Sequence, residues 1–297
     1  MQQQHILQQL FDEPIETVVA LDPGYSGHAS DVWLVKTASG EAVVRSSKLK
    51  DRPLNDFWWG IHNLFGIDPA NPIHFEAASK MLSEIPTIAA PNILSRAEIN
   101  GRPYLVVEKM AGHPMKSFTD QPDELLRQFG IWLAQVHGST YAHFGNLAGT
   151  KAIGIQHFHR HLARTMERLV ARYYKDSPDF VAALNRLLPE TERLPAPSNA
   201  SPVLIDIDPS QFLADDGRIT AIVDLEAYVL GPRELDFIAL EYVFDRKASV
   251  PFTQGYESVL PVPDLSEVRE VYRFFYRLIG VQGSVELDKW FAQPDLF

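Results

Sequence analysis

The chain has 297 residues, and 45% of them are hydrophobic, so it can bury a large core and disorder is not expected. A formal net charge of −11 argues against a nucleic-acid partner, because phosphate backbones are bound by clustered Lys and Arg. The chain has no cysteine, which excludes disulfides, a thiolate nucleophile and a Cys-ligated metal.

The N-terminal residues carry neither the positive start nor the apolar run of a signal peptide. No stretch of the sequence approaches the roughly 18 apolar residues that a membrane helix needs. We therefore expect a cytoplasmic protein with no membrane partner.

The first third of the chain is predicted to consist mainly of strands and turns. Gly24 and Gly27 lie in a turn between the first two strands, and Asn100-Gly101 is a type I′ hairpin signal between the last two. The aromatic run Phe57-Trp58-Trp59 is expected to be exposed. The predicted strands are 16–21, 31–37, 42–46, 92–99 and 103–110, and apolar spacing predicts a helix at 72–85.

Beyond residue 110 the pattern changes to helices, interrupted by a Pro-rich stretch at 194–202 and a short strand and hairpin at 203–223. This order predicts an α+β fold with two lobes. We expect a β-rich N-terminal lobe at 1–110 and a mainly helical C-terminal lobe at 111–297. The predicted helices are 122–137, 156–174, 179–188, one beginning near 234, and 265–281.

The loop after the short strand carries an acid, an amide and a second acid. Asp206 ends an apolar strand, Gln211 follows five positions later, and Asp224 comes directly after the hairpin. This order suits phosphoryl transfer, in which one carboxylate orients the attacking hydroxyl and oxygen ligands hold Mg²⁺. Asp206 is therefore the candidate catalytic residue, and Gln211 and Asp224 are the candidate metal ligands.

Each of these residues also has an ordinary structural interpretation. Asp206 could be a turn residue, Gln211 a solvent-facing loop residue, and Asp224 a salt-bridged or capping carboxylate. Glu226 could assist Asp224 or lie exposed. His137 is expected to make a core or capping hydrogen bond, and Asp236 is expected to brace the catalytic loop.

Candidate nucleotide-binding residues lie in the N-terminal lobe. The turn with Gly24 and Gly27 would let backbone N–H groups approach phosphates. Arg45 could bind a phosphate, held by an ion pair with Glu76 on the predicted helix. The strand that ends at Glu108 leads into Met110, where backbone groups could pair with an adenine edge. For any single charged residue among these, a solvated surface position is the commoner case.

Taken in chain order, these segments resemble the aminoglycoside phosphotransferase and choline kinase-like family, which has the protein-kinase-like fold. Four positions depart from that family's usual loop: Leu204-Ile205 replace His-Gly, Asp208 replaces His, and Gln211 replaces Asn. The matching segments are Gly24 to Gly27, Arg45, Glu76, Val106 to Gly112, Leu133 to His137, Asp206, Ile222 to Glu226, and Gly231 to Asp236.

The resemblance implies an ATP-dependent, Mg²⁺-requiring phosphotransferase that acts on a hydroxyl group of a small molecule. The departures at Leu204, Asp208 and Gln211 motivate a first alternative, a nucleotide-binding protein of the same fold with weakened catalysis. The aromatic run motivates a second alternative, a partner-binding protein without enzymatic activity. The sequence leaves open the acceptor, the choice between ATP and GTP, and the oligomeric state.

Overall fold

The computed structural model describes residues 2–21, 30–49 and 55–297. These ranges form an α+β fold with a sheet lobe followed by a helical lobe. The elements of the sheet lobe are α1 (Gln2–Gln8), β1 (Ile15–Ala20), β2 (Ser30–Thr37), β3 (Gly40–Ser47), α2 (Asp56–Phe65), α3 (Ile73–Leu82), β4 (Ile93–Ile99) and β5 (Arg102–Glu108).

The helical lobe also contains short strands between its helices. Its elements are β6 (His113–Pro114), α4 (Asp123–His137), β7 (His143–Gly145), β8 (Ala152–Gly154), α5 (Phe158–Leu169), α6 (Pro178–Arg193), β9 (Ser201–Leu204), β10 (Phe212–Asp215), β11 (Arg218–Ile222), β12 (Tyr228–Gly231), α7 (Glu234–Val243), α8 (Arg246–Glu257), α9 (Arg269–Leu278) and α10 (Leu287–Phe291). Within the described ranges, no helix combines the length and the apolar character that crossing a membrane requires.

The sheet lobe is one antiparallel sheet with the strand order β1-β2-β3-β5-β4. Asn100 and Gly101 both have positive φ, 55° and 72°, which confirms the predicted type I′ turn between β4 and β5. Successive residues of a strand point to opposite faces of the sheet. Val44 of β3 therefore packs into a small core with Trp33, while Arg45 faces the helical lobe.

The helical lobe centres on α4, which packs closely against α8. A Cβ atom on Gly130 would overlap the backbone oxygen of Phe252 and lie 2.7 Å from Tyr256 N, and one on Gly255 would overlap the backbone of Arg127. Glycine at both positions lets the two helix backbones approach each other. The buried apolar face of α4 consists of Leu125, Leu126, Phe129, Trp132, Leu133 and Val136.

Two small sheets of the helical lobe position the segments of the predicted site. One has the order β8-β7-β12-β9 and the other β11-β10-β6. The chain leaves β9 toward Asp206, and it leaves the β10–β11 hairpin toward Asp224. These two sheets therefore bring the ends of β9 and β11, which are separate in sequence, to one side of the lobe.

Backbone hydrogen bonds join the two lobes beside this region. Ala89, in the loop between α3 and β4, donates to Thr220 O at 3.3 Å and accepts from Ile222 N at 2.8 Å. The connector is held by the same hairpin, because Thr220 Oγ1 donates to Ala111 O at 2.6 Å. The strand that leads to Asp224 is thus fixed to the sheet lobe as well as to the helical lobe.

The aromatic run Phe57-Trp58-Trp59 lies in α2, which packs against α5 and α9. Trp58 is buried, and its two neighbours are partly buried against the same core. Asn146 Nδ2 donates to Phe65 O at 3.1 Å and holds the end of the helix. The expectation that this run is exposed was wrong, because its apolar side chains fill the space between α2 and the helical lobe.

Candidate active site

Asp206 lies on the loop that follows the buried strand β9. Leu204 pairs with Tyr228 of β12, and Ile205 N donates to Ala227 O at 3.5 Å, so the chain stays on the sheet until the turn. Asp206 is only partly buried, yet its Oδ1 is enclosed and has no hydrogen-bond partner among the described residues. A buried acceptor without a donor costs about 1–3 kcal/mol. This oxygen is therefore suited to receive a hydrogen bond from a bound ligand.

Asp208 and Gln211 stabilise the turn after Asp206. Asp208 Oδ1 accepts from Ser210 N at 2.8 Å and caps a short 3₁₀ turn. Gln211 Oε1 accepts from Asp208 N at 3.0 Å, while Gln211 Nε2 donates to Asp206 O at 3.1 Å. Gln211 is buried, so the interpretation of a solvent-facing residue was wrong.

A hydrogen-bond network centred on the buried Asp236 and His137 holds the start of the same loop. Asp236 Oδ1 accepts from Leu204 N at 3.1 Å, and its Oδ2 lies 2.9 Å from His137 Nε2. His137 Nδ1 lies 2.9 Å from the Tyr256 hydroxyl, which also accepts from Arg233 at 3.0 Å. Burial raises the pKa of Asp236, against the opposing effect of His137. These contacts confirm that Asp236 braces the loop and that His137 makes a core hydrogen bond.

Asp224 follows β11 with a backbone conformation that few residues adopt. Its φ is 64°, in the left-handed region, which Asp tolerates better than most side chains. The preceding Val223 donates from its N–H to Gln211 O at 2.7 Å. This bond ties the position of Asp224 to the loop that carries Asp206.

Arg45 of β3 reaches both acidic side chains after β11. Its Nη2 donates to Asp224 Oδ1 at 2.6 Å and also to Glu226 Oε1. The guanidinium lies 4.9 Å from the ring centroid of Phe75, and Ser30 Oγ donates to Glu226 at 3.3 Å. The Arg45 side chain is 9% exposed, whereas that of Asp224 is 42% exposed. Arg45 therefore covers the inner side of the acidic pair, and Asp224 stays accessible from solvent.

Glu76 of α3 does not pair with Arg45 in this structure, and its role in holding Arg45 stays a prediction. Its Oε2 lies 3.5 Å from Nη1 of the exposed Arg96. Two carboxylates, those of Asp224 and Glu226, attract the guanidinium more strongly than the single carboxylate of Glu76 does. Arg45 Nε and Glu76 Oε1 are both buried without a hydrogen-bond partner in the part of the chain that is described.

Burial and like charge shift the pKa values of this acidic cluster. Burial and the neighbouring Asp224 raise the pKa of Asp206 to about 8. Burial also raises the pKa of Glu226, against the opposing charge of Arg45. For Arg45 itself, burial disfavours the charge, but Glu226 and Asp224 outweigh it and raise the guanidinium pKa. A cation bound near Asp224 would favour the ionised form of all three acids.

The acidic pair fits a single hard cation. Oxygens of Asp224 and Glu226 converge on one nitrogen of Arg45, so both can contact one positive centre. Carboxylate oxygens are suitable ligands for Mg²⁺, which usually keeps waters and phosphate oxygens as its remaining ligands. Among residues 2–21, 30–49 and 55–297, no group of three or more His or acidic side chains is arranged to hold a metal. The pair would therefore hold a cation together with nucleotide phosphates.

Glu108, at the end of β5 just before the connector between the lobes, is already hydrogen-bonded to Asn92. Glu108 N donates to Asn92 O at 3.0 Å, and Asn92 Nδ2 donates to the Glu108 carboxylate at 2.9 Å. The Glu108 N–H is thus already occupied, and the adenine-binding role of Glu108 and Met110 stays a prediction. Gly24 and Gly27 lie outside the described residues, and their phosphate-binding role stays a prediction too.

Glu226 is the member of the acidic cluster that sequence reasoning left open. The structure places it beside Arg45 with 14% of its side chain exposed. The signal in the sequence was the spacing of two acids around Leu225, which is fully buried.

Comparison with known families agrees with this geometry. The family model described as "Phosphotransferase enzyme family" (APH) matches residues 23–271, a range that contains every residue of the acidic cluster. No functionally curated protein matches the sequence significantly.

Several solved structures are similar in fold at low sequence identity. The GDP and kanamycin complex of APH(2″)-IIIa has a TM-score of 0.65 at 14% identity, over 95% of this chain and 90% of that chain. The macrolide 2′-phosphotransferase MphH from Brachybacterium faecium has a TM-score of 0.63 at 13% identity, over 93% and 89%. Spectinomycin phosphotransferase APH(9)-Ia, in complex with ADP and spectinomycin, has a TM-score of 0.61 at 15% identity, over 94% and 85%.

Proposed function

Because the chain belongs to the phosphotransferase enzyme family, we propose that it transfers the γ-phosphoryl group of ATP to a hydroxyl group of a small molecule. One observation carries the proposal: Asp224 and Glu226 converge on a single cationic nitrogen. They do so beside the loop of Asp206, because Val223 N, directly before Asp224, donates to Gln211 O in that loop. Phosphoryl transfer needs a cation site beside a carboxylate that can orient a hydroxyl. Cytoplasmic ATP would supply the phosphoryl group.

Asp206 would accept the hydrogen bond of the acceptor hydroxyl. Its buried Oδ1 has no donor within the described residues, so an acceptor O–H would satisfy it. In the free protein its pKa of about 8 leaves it largely protonated at neutral pH. Binding of a cation at Asp224 would oppose the like-charge repulsion and favour the carboxylate that the reaction needs.

Asp224 and Glu226 would hold Mg²⁺ against the nucleotide phosphates. The bound ion would neutralise charge on the phosphate oxygens during transfer. Asp224 is the more exposed of the two acids and would face the nucleotide, whereas Glu226 would contact the ion from the buried side. The left-handed backbone at Asp224 sets the direction of its carboxylate before any ligand binds.

Arg45 would exchange partners when the nucleotide binds. In the free protein its guanidinium neutralises Asp224 and Glu226. A divalent cation would take over that role, and Arg45 could then bind a phosphate while Glu76 holds its Nε side. Two unpaired buried atoms, Arg45 Nε and Glu76 Oε1, support this second pairing. The turn with Gly24 and Gly27 and the connector at Glu108 and Met110 would complete nucleotide binding.

The experiment is a transfer assay with ATP and, separately, GTP. Nucleoside diphosphate release would be followed with Mg²⁺ across a panel of amino alcohols, sugars and aminocyclitols. We expect acceptor-dependent turnover that Asp206→Asn lowers by at least about 100-fold, as for loss of a general base. Asp208→Asn is the matched control, because it removes a nearby exposed charge but keeps an oxygen to cap the turn. Equal turnover in the wild type and Asp206→Asn would remove Asp206 from the mechanism.

A second candidate is a protein that binds nucleotide without transferring phosphate. One observation favours it: Arg45 already neutralises the acidic pair. Thermal stabilisation by Mg²⁺ and ATP, without turnover on any acceptor, would support this candidate. The third possibility raised by the sequence, partner binding through Phe57-Trp58-Trp59, loses its motivation because the run packs inside the fold.

A further inference from the structure

Gln211 occupies the loop position at which a second metal ligand was predicted. We infer that Gln211 is instead a positioning residue, which fixes Asp206 relative to Asp224 and does not ligate the cation. This inference rests on the proposed function, because it concerns how the phosphoryl-transfer site is held in place.

Both the oxygen and the nitrogen of the Gln211 side chain are hydrogen-bonded within its own loop. Its Oε1 accepts from Asp208 N at 3.0 Å, and its Nε2 donates to Asp206 O at 3.1 Å. The residue is only 4% exposed, so a cation cannot approach the amide from solvent without moving the loop. Turning Oε1 outward would leave the Asp208 N–H without its acceptor and would release the Asp206 carbonyl.

The backbone of Gln211 extends the connection to the second acid. Its N–H donates to Asp208 O at 3.1 Å, and its carbonyl accepts from Val223 N at 2.7 Å. Val223 directly precedes Asp224, whose φ of 64° has to be maintained by its neighbours. One residue thus links the loop of Asp206, through its side chain, to the strand end of Asp224, through its backbone.

Glu226 makes a ligand at position 211 unnecessary. Asp224 and Glu226 already supply two converging oxygens, and both oxygens point at the same nitrogen of Arg45. A carboxylate is also a stronger Mg²⁺ ligand than an amide oxygen, because it carries charge. The cation would therefore be held from the β11 side, with the Gln211 loop as its support.

The test compares Gln211→Met with Asp224→Asn and the wild type. Met keeps the length and volume of the side chain but has no N–H donor and no carbonyl oxygen, so the variant should fold. The non-hydrolysable nucleotide AMP-PNP would be held at saturation, and Mn²⁺ binding would be measured by electron paramagnetic resonance of the free ion. We expect Gln211→Met to change the Mn²⁺ Kd by less than about threefold, whereas Asp224→Asn raises it at least about tenfold. An equal loss of affinity in both variants would overturn the inference.

A second readout tests the positioning role directly in the nucleotide-free protein. Hydrogen exchange of the Asp208 amide should be at least about fivefold faster in Gln211→Met, because loss of one hydrogen bond costs about 1 kcal/mol. Asp208→Asn, which keeps that amide bonded to Gln211, should not accelerate it. Unchanged exchange in Gln211→Met would also overturn the inference.

Transfer kinetics separate a positioning role from a purely structural one. With any acceptor that the wild type phosphorylates, Gln211→Met should lower kcat while leaving the KM for ATP unchanged, since no ligand of the nucleotide is removed. A rise in KM with constant kcat would contradict it. If the wild type binds no Mn²⁺, the proposed function fails, and the exchange measurement still decides whether Gln211 holds the loop.

Discussion

Asp236 offers the sharpest test of how the catalytic loop is held. Replacing it in Asp236→Leu keeps the approximate side-chain size but removes both carboxylate oxygens. Oδ1 accepts from Leu204 N at 3.1 Å, and Oδ2 lies 2.9 Å from His137 Nε2. Both side chains of the Asp236–His137 pair are fully buried, so water cannot replace the lost partners without opening the core.

The expected loss of stability follows from these two contacts. The substitution leaves the Leu204 N–H and one ring nitrogen of His137 without partners, and each buried polar group left unpaired costs about 1–3 kcal/mol. Two such groups together cost about 2–6 kcal/mol, and the middle of that range is about 3–5 kcal/mol. We therefore expect Asp236→Leu to lower the free energy of unfolding by about 3–5 kcal/mol. At about 2 °C per kcal/mol for a chain of this size, Tm should fall by about 6–10 °C.

Urea unfolding followed by circular dichroism and tryptophan fluorescence measures this change. Asp176→Leu, at an exposed position without an ion pair among the described residues, is the control and should change the free energy by less than about 0.5 kcal/mol. The Leu204 amide lies two residues before Asp206, so turnover should fall further than the loss of folded protein explains. A variant as stable as the control would refute the assignment of Asp236 as the brace of the loop.

Three further predictions test other parts of the structure. The folded-state pKa of Asp206, about 8, lies above the ordinary aspartate value near 4, so its ionisation destabilises the fold increasingly as pH rises from about 4 to 8. Asp206→Asn should therefore be more stable than the wild type by at least about 1 kcal/mol at pH 8 and equally stable at pH 4. Parallel pH profiles of the free energy of unfolding of the two proteins, measured in urea, would contradict this. Arg45→Met should lower Tm in EDTA. Mg²⁺ should raise the Tm of this variant more than it raises the Tm of the wild type, because the cation replaces the lost guanidinium at Asp224 and Glu226. An equal rise in Tm with Mg²⁺ in both proteins would argue against a shared site. Gly130→Ala should lower the free energy of unfolding in urea by about 1–3 kcal/mol, because the added methyl group would overlap the α8 backbone. An unchanged free energy would show that α4 and α8 can move apart without cost.

Much of the fold could be predicted from the sequence because local patterns agree with the tertiary structure. The Asn100-Gly101 turn needs positive φ at both residues, and that requirement is visible in the two residue types alone. The apolar spacing of α4 likewise reports its buried face directly. The run Phe57-Trp58-Trp59 was misinterpreted because adjacent aromatics in a helix point in different directions, and only the packing of α2 on α5 and α9 shows that all three lie against the core.

The acidic residues of the candidate site could be predicted from the sequence, but not which of them pairs with Arg45. Asp206 and Asp224 follow apolar strands, and that position could be read from the chain. The partner of Arg45 depends on which carboxylates the folded chain brings nearest, and Glu226 lies 181 positions away in sequence. Gln211 shows the same limit, because a sequence shows that an amide is present but not whether the loop backbone already occupies its oxygen.

Calorimetric titration of ATP tests the central claim most directly. The wild type should bind ATP in the presence of Mg²⁺, and binding should weaken at least about tenfold in EDTA. Asp224→Asn should show the weak affinity under both conditions, while Asp208→Asn should behave like the wild type. Absence of ATP binding, or binding that neither EDTA nor Asp224→Asn changes, would contradict the account of a cation-dependent phosphotransferase site.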